Sequence, residues 1–599
     1  MSVKIRSYLS PTLVLLALDW PDAPQHPDFL GFAIKRTPGF RDDRNGLRAG
    51  SSWLPNRLSF GAATHVAQTR SVNTDTPSNI APIQKFSWWD ARFDDADREH
   101  TFRYDVYPVT GTPDTLTVRT SDRATCSVTL PSHTVDGIGT WFNRAVVSSQ
   151  AFSRKIAALH LPPGTAPNAQ DTLALRGWLA NGMEHVFDTI LSGASRAVGA
   201  VYHLTDPLWA LPALSTFGKT HGKDAVAIVY DAHQGKQKGQ TATTSPNQMA
   251  IDTLEGNVTL LPRDKTHIMH DKFIVSDGPH AAGKPMRLLA GSANFTTEGL
   301  TEQANVLHVF DAPPLAALYN ERARLLASNP VIAATANAEP GWSDPVTVGS
   351  ARIRACFSPE PGDARNQIDT IVTTIGKAKH SVMFCLFMPT DATLRQACFD
   401  AGDKGLTMFG LVNHISPVKA GGNDKASGQS APLNASALAN MALYHRSQRQ
   451  RDVIDAAHFT QDTAPDGFLP EWQRFPGAKA PPYTPVIIHH KFVIVDADGN
   501  DPVVYTGSAN MSENSERYND ENLLEIRDKR IAAIYLAEFL RLYEHYRARA
   551  IALTERNNGT PSTSSRLSLA TDGAWARKYY VKGSPEQKSR IELAGDNHS

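Results

Sequence analysis

Two segments of this 599-residue chain repeat each other in order and spacing, so any fold it adopts must hold the same unit twice. The first reads His270-Asp271-Lys272-Phe273-Ile274-Val275-Ser276-Asp277 and is followed by Gly291-Ser292-Ala293-Asn294. The second reads His489-His490-Lys491-Phe492-Val493-Ile494-Val495-Asp496 and is followed by Gly507-Ser508-Ala509-Asn510. Upstream of each lies the same alternation of helix and strand. A strand pattern at 198–204 leads to Thr205-Asp206, a helix pattern and a strand at 225–231; a strand at 381–387 leads to Thr390-Asp391, a helix at 394–401 and a strand at 406–412. The two Thr-Asp pairs are 185 residues apart, too far for a solenoid and right for a duplicated α/β domain.

Side chains two apart on a strand share a face, so each His-x-Lys presents an imidazole beside an ammonium. Phe273, Val275, Phe492 and Ile494 are left to pack. The glycine of each Gly-Ser-x-Asn turn admits close backbone approach, and its hydroxyl and amide can bond phosphate oxygens. Two lysines can neutralise a phosphodiester without a metal, and they strengthen as water is excluded. One neutral histidine can attack phosphorus while the other, protonated, serves the leaving oxygen. No cofactor and no metal are expected.

These motifs resemble the phospholipase D superfamily, over roughly residues 150–555. The resemblance implies two pseudo-symmetric α/β/α sandwich halves meeting at one active site. It implies His270 as nucleophile, His489 as general acid and base, and Lys272 and Lys491 as phosphate clamps. Ser292, Asn294, Ser508 and Asn510 become phosphate-binding candidates. Asp277 and Asp496 belong to the motif, but their strand-end position suits a structural hydrogen bond. Family members place an orienting carboxylate after the Gly-Ser-x-Asn turn. Glu521 supplies it in Asn519-Asp520-Glu521-Asn522, whereas Glu302-Gln303-Ala304-Asn305 sets Ala304 in that column. Crosswise orientation would give Glu521 to His270 and leave His489 without its usual partner; Glu302 is a weak substitute.

The rest of the chain divides around this duplication. Residues 1–148 read as short strands between Pro/Gly-rich loops, an immunoglobulin- or fibronectin-like β-sandwich. The halves are expected at 149–340 and 341–555, and the tail 556–599 is expected to pack on the body. The apolar run 13–18 follows Lys4 and Arg6 but lacks a small-x-small cleavage site, so it reads as a buried strand. A cytoplasmic location is expected on that ground, with specialised secretion left open, and a monomer is expected. Cys126, Cys356, Cys385 and Cys398 form no CxxC pair and suggest neither disulfides nor zinc.

His203, His233 and His414 each follow an apolar strand at the edge where open α/β sheets bind ligands, with a structural role preferred. His490 faces away from His489, and Trp209, Phe387 and Met388 read as core. The two motifs lie 219 residues apart against 185 upstream, so about 34 extra residues enter before His489, including 421–425 and 464–485. A lid and a surface excursion are equally good readings of them.

The shared motifs do not single out a substrate. Sixty basic residues balance sixty acidic ones, which gives no hint of a polyanionic partner. A phospholipid at a membrane or micelle surface, hydrolysed or exchanged to another alcohol, is the first expectation. A nuclease is the alternative; it needs a basic track, and Lys219, Lys223, Lys236 and Lys238 are its only modest cluster.

Overall fold

The computed structural model describes residues 1–41, 46–61, 75–162, 165–234, 245–278, 283–387, 389–416, 435–465, 468–478, 486–557 and 568–595. The loop 421–425, Lys236, Lys238, Met388, much of 464–485 and the linker 559–565 lie outside them.

The N-terminal region is strand-rich, as expected. Strands β1 (Lys4–Ser10), β2 (Leu13–Asp19) and β4 (Ser87–Asp90) form a three-stranded antiparallel sheet. Strands β3 (Phe29–Thr37), β5 (Thr101–Thr112) and β6 (Ala124–Thr129), with two short strands, form a five-stranded one. Every residue of β2 is buried, because both its faces are covered. Val14, Leu16 and Leu18 meet Phe29, Phe32 and Phe86, while Leu13, Leu15 and Ala17 join the core shared by the two halves. This is strand-like burial, and it welds the β region to the catalytic body.

The first lobe is an eight-stranded mixed sheet. It begins with β7 (Ile138–Phe142), a strand the sequence reading set on the N-terminal side of residue 148. It continues with β8 (Ala197–Val201), β9 (Val226–Asp231), β10 (Thr259–Arg263), β12 (Lys272–Ser276), β13 (Arg287–Gly291) and β14 (Val306–Asp311). Its order is Thr134–Val135, then β7-β14-β13-β12-β8-β9-β10. A two-residue strand, β11 (Ile268–Met269), leaves this lobe for the other.

The second lobe repeats the order with β15 (Ala351–Ser358), β16 (Ser381–Leu386), β17 (Thr407–Val412), β18 (Val453–Asp455), β19 (Lys491–Val495), β20 (Val503–Gly507) and β21 (Asn519–Arg527). Here the sequence of strands is Val346–Val348, then β15-β21-β20-β19-β16-β17-β18. The matching orders are the duplication read from the motifs.

Strand periodicity then assigns the layers. On β12, Phe273 and Val275 enter the core between the lobes and Ile274 enters the outer core of the first lobe. On β19, Phe492 and Ile494 point inward and Val493 and Val495 outward. Each such side chain contributes about 1.5–3 kcal/mol on burial. The middle layer is completed by two helices, Pro313–Ala327 on the first sheet and Lys529–Asn557 on the second. The outer layers carry Ala210–His221 and Gln248–Leu254 on the first lobe, and Asn366–Gly376, Ala392–Asp403 and Ala435–Arg449 on the second.

The Thr-Asp pairs start helices. Asp206 Oδ2 accepts from the amides of Trp209 (2.7 Å) and Ala210 (2.9 Å), and Asp391 accepts from Leu394 N at 2.7 Å. In the C-terminal tail, Trp575, Tyr579 and Tyr580 pack around Phe86, and the helix Pro585–Ala594 lies against β1 and β2.

Candidate active site

The motif histidines sit where the two lobes exchange backbone. Strand β11 pairs in parallel with Asn519–Asp520 of the second lobe, and His270 N donates to Asp520 O at 2.8 Å. Reciprocally, Ile488 bridges Ala304 of the first lobe, and His489 N donates to Ala304 O at 3.1 Å. Each motif therefore enters its own sheet immediately after crossing onto the strand that carries the other lobe's orienting residue. Asp231 and Asn413 brace the crossings, accepting from Met269 N at 2.8 Å and from Ile487 N and Ile488 N at 2.8 and 3.0 Å.

The glycines of the Gly-Ser-x-Asn turns are required by this exchange. A Cβ on Gly291 would collide with the carbonyl oxygen of Val306, and one on Gly507 with that of Asn522. Both serine hydroxyls are spent on the same contact. Ser292 Oγ accepts from Val306 N (3.1 Å) and donates to Asn305 Oδ1 (2.8 Å), and Ser508 Oγ accepts from Asn522 N (3.0 Å). The serines hold the turn to the neighbouring strand. Asn294 and Asn510 are different: the side-chain Oδ1 of each is buried with no partner, so these amides are free to turn toward a ligand.

His270 Nδ1 lies 3.1 Å from Glu521 Oε2, close enough for an ion pair but off the line of a good hydrogen bond. Glu521 is held by Ser515 Oγ and Asn519 Nδ2, both at 2.8 Å. His489 Nδ1 lies 2.9 Å from Asn305 Oδ1. Asn305 donates through Nδ2 to the carbonyls of Gly299 (2.8 Å) and Gln303 (3.3 Å), which fixes the oxygen toward the imidazole. Nδ1 of His489 therefore carries the proton, and Nε2 keeps its lone pair. Lys491 Nζ, 3.2 Å from that same Nδ1, spends a donor on His489 O at 2.8 Å.

The partner of His489 is thus Asn305. Counting from the turns finds it: Asn294 to Asn305 and Asn510 to Glu521 are both 11 residues. The backbone agrees, since Ala304 and Asp520 are the equivalent crossing residues. Aligning the shared Asn305 and Asn522 had placed Ala304 in the carboxylate column, one residue out of register. Glu302 does other work. It pairs with Arg176 and accepts from Phe475 N at 2.9 Å, anchoring the stretch 468–478 onto the first lobe.

Burial is nearly complete: His270 is 6 % and His489 9 % exposed, and both lysines are fully buried. Burial first, then Lys272 and Lys491, hold the His270 imidazole well below its usual value, and burial, Lys491 and Lys272 do the same to His489. Lys272 is brought down to about 7 by burial, against the pull of Glu521, Asp271 and Asp231. Lys491 is held well below its ordinary value by burial and by Lys272. Glu521 is pushed up to about 7 by burial, with Asn519 and Lys272 opposing. An anion entering this cluster of buried basic groups would favour their charged forms.

The residue between His and Lys differs between the lobes. Asp271 accepts from Asn522 Nδ2 at 2.7 Å and lies 3.5 Å from Arg322, within a buried group that includes Arg263 bound to Asp520 at 2.8 Å. His490 packs between Phe142 and Phe492. The motif aspartates sit at the far end of the strands and bind backbone. Asp277 accepts from the amides of Ser195 (2.8 Å), Arg196 (3.1 Å) and Gly283 (2.9 Å), and Asp496 from those of Lys379 (3.0 Å), His380 (2.7 Å) and Ser381 (3.1 Å).

His203 is nearer the centre than its sequence reading suggested. Its ring stacks on Tyr202 at 3.8 Å, and Tyr202 lies 5.0 Å from the His270 ring and beneath the Lys272 ammonium. Burial and Lys272 bring His203 down to about 4. Phe387 occupies the equivalent place beside His489, 6.2 Å between centroids. His233 pairs with Asp231 at 3.1 Å, and His414 turns to Ser416 at 2.6 Å.

Two α/β lobes thus exchange backbone to assemble one composite His–Lys centre. Residues 371–543, which make up most of the second lobe, match the family model described as "Cardiolipin synthase, PLD-like domain". No curated protein matches it. Among solved structures, phosphatidylserine synthase from Haemophilus influenzae shares 13 % identity over 62 % of this chain and 85 % of its own (TM-score 0.38). Nuc from Salmonella typhimurium shares 16 % over 33 % and 95 % (TM-score 0.20). Polyphosphate kinase from Porphyromonas gingivalis shares 10 % over 58 % of this chain and 46 % of its own (TM-score 0.34), so the match spans under half of that enzyme.

Proposed function

We propose that the chain is a phospholipase D-type phosphodiesterase acting on glycerophospholipids through a phosphohistidine, without a metal. The observation that carries the mechanism is the unequal pairing of the two imidazoles. His270 Nδ1 faces a carboxylate, which stabilises the positive charge that forms when Nε2 bonds to phosphorus. His489 faces a neutral amide, which gives its imidazolium no such support and makes it the readier proton donor. An entering phosphodiester offsets Lys272 and Lys491, the cations that depress His489, and so allows it to take up a proton.

The steps then balance. His270 Nε2 attacks phosphorus, the bond to the alcohol breaks, and His489 gives its proton to the departing oxygen. Water next yields a proton to His489 and attacks phosphorus, expelling His270 and releasing the phosphomonoester; an alcohol in place of water exchanges the headgroup. The negative charge stays on the phosphoryl oxygens, where Lys272 and Lys491 offset it throughout.

Lipid is favoured over nucleic acid by where the positive charge lies. Lys219 lies in the last turn of the helix Ala210–His221 and Lys223 in the turn that leads into β9, at the sheet edge opposite the histidines. A nuclease track needs cations beside the cleft. The test is release of choline from phosphatidylcholine against cleavage of single- and double-stranded DNA, each in EDTA. Choline release with intact DNA supports the reading, and cleaved DNA without choline release overturns it.

A further inference from the structure

The two lobes differ in more than the partners of their histidines. Sheet register makes Asp231 the counterpart of Asn413. Val201 and Leu386 lie opposite Lys272 and Lys491, and their partners on the other side, Tyr230 and Val412, immediately precede Asp231 and Asn413. Both side chains do the same structural task. Asp231 Oδ2 accepts from Met269 N at 2.8 Å, and Asn413 Oδ1 accepts from Ile488 N at 3.0 Å. Those amides belong to the residues just before His270 and His489. An acid in place of a neutral partner recurs at two more equivalent positions, Asp271 against His490 and Glu521 against Asn305. Three carboxylates thus converge on the first His–Lys pair, and none fills the matching places around the second.

An amide oxygen is enough to brace a crossing, since Asn413 accepts from both Ile487 N and Ile488 N. Asp231 is buried, so a carboxylate there is costlier than an amide, and its charge is what sets it apart. His233 offsets part of that charge, its Nδ1 lying 3.2 and 3.1 Å from the two carboxylate oxygens. We infer that Asp231 is a positioning residue, which ties the His270 crossing to its sheet and supplies charge that keeps Lys272 an ammonium for the phosphate oxygens. This rests on the phosphodiesterase reading and deepens it, because the first lobe then holds the standing cation of the site. Glu521 on β21, Asp271 beside β12 and Asp231 at the end of β9 all favour the charged form of Lys272. Lys491 on β19 opposes it, as do His270, His203 and His489 when protonated. Of the three acids, Asp231 can be neutralised most cleanly. Asp271 also binds Asn522 and faces Arg322, and Glu521 faces His270 itself.

The experiment follows sulfate binding by calorimetry from about pH 5 to about pH 9, beside kcat/KM for the soluble diester bis(p-nitrophenyl) phosphate. Sulfate stays a dianion throughout, so a fall in its affinity reports loss of positive charge from the protein. In Asp231→Asn, which keeps an oxygen for Met269 N, the pH at which affinity halves should move down by roughly 1 unit, with the basic limb of kcat/KM following. His233→Ala removes the half-exposed partner and should move that midpoint up. Asp277→Asn, at the far end of the strand, should leave it in place. A wild-type midpoint in a folded Asp231→Asn protein overturns the proposal and leaves Asp231 a brace only. Should that variant fail to fold, an unmoved midpoint in His233→Ala overturns it instead. Wild type that binds no sulfate at any pH holds no standing cation and overturns it too. The expected shift in a protein that hydrolyses no diester would fault the catalytic reading and leave the role of Asp231 standing.

Discussion

The two histidines differ by one atom pair in their partners, and that difference has measurable consequences. Replacing Asn305 by alanine removes a hydrogen bond of about 1–3 kcal/mol, which should lower kcat roughly 5- to 150-fold with little change in KM. Asn305→Asp gives His489 a carboxylate. Its imidazolium is then favoured, so the basic limb of the kcat profile should move to higher pH. Lys491 makes a second case. Its folded-state value lies below that of the unfolded chain, so burial costs stability at any pH below the unfolded value and nothing above it. Lys491→Met should abolish activity yet raise the melting temperature at pH 7, with the gain shrinking as pH rises and gone above about pH 10. A lower melting temperature at pH 7 would contradict this. The placement of the two His–Lys pairs was legible in the sequence because period two alone puts His and Lys on one face. The partner of His489 was less so, because an identical asparagine one residue along invited the wrong register. Spacing from the rigid turn was the better guide, since Gly291 and Gly507 clamp that turn to the partner strand.

Among the elements, the strands were easiest to read where they are buried on both sides. The repeated strands at 197–201 and 381–386 and the two motif strands appear close to their expected limits. What sequence could not show was the crossing: Ile268–Met269 is too short for any pattern, yet it carries His270 to Glu521. The motif aspartates test the elements themselves. Asp277 satisfies two backbone amides where the chain turns into β8 and that of Gly283 ahead of β13, so Asp277→Ala should cost about 1–3 kcal/mol in denaturant unfolding while kcat per folded molecule stays unchanged. A loss of kcat at unchanged stability would make the residue catalytic.

Over the whole molecule, the expected partition into a separate β-sandwich, two halves and a tail underestimates how far the parts share one interior. β2 feeds the central core, Ile138–Phe142 completes the first lobe's sheet, and Tyr8 OH bonds Leu593 O at 2.9 Å. Composition could not reveal this, because apolar residues on both faces of a strand do not name what covers them. The lobes are joined beneath the site by Arg322, Arg263, Asp271 and Asp520. Arg322→Met strands buried carboxylates from both lobes and should cost about 3–5 kcal/mol in unfolding free energy. A midpoint equal to wild type would show that the network does not hold the lobes together.

The division of labour between the histidines can be read in a single turnover. In EDTA, the His489→Ala protein mixed with bis(p-nitrophenyl) phosphate should release nitrophenol in a burst approaching one per chain and then stall. The leaving group departs without an acid, but no base remains to activate water. The trapped phosphoryl group should be found by peptide mapping on residue 270. A label on residue 489 in the His270→Ala protein, with no burst from His489→Ala, would contradict the account.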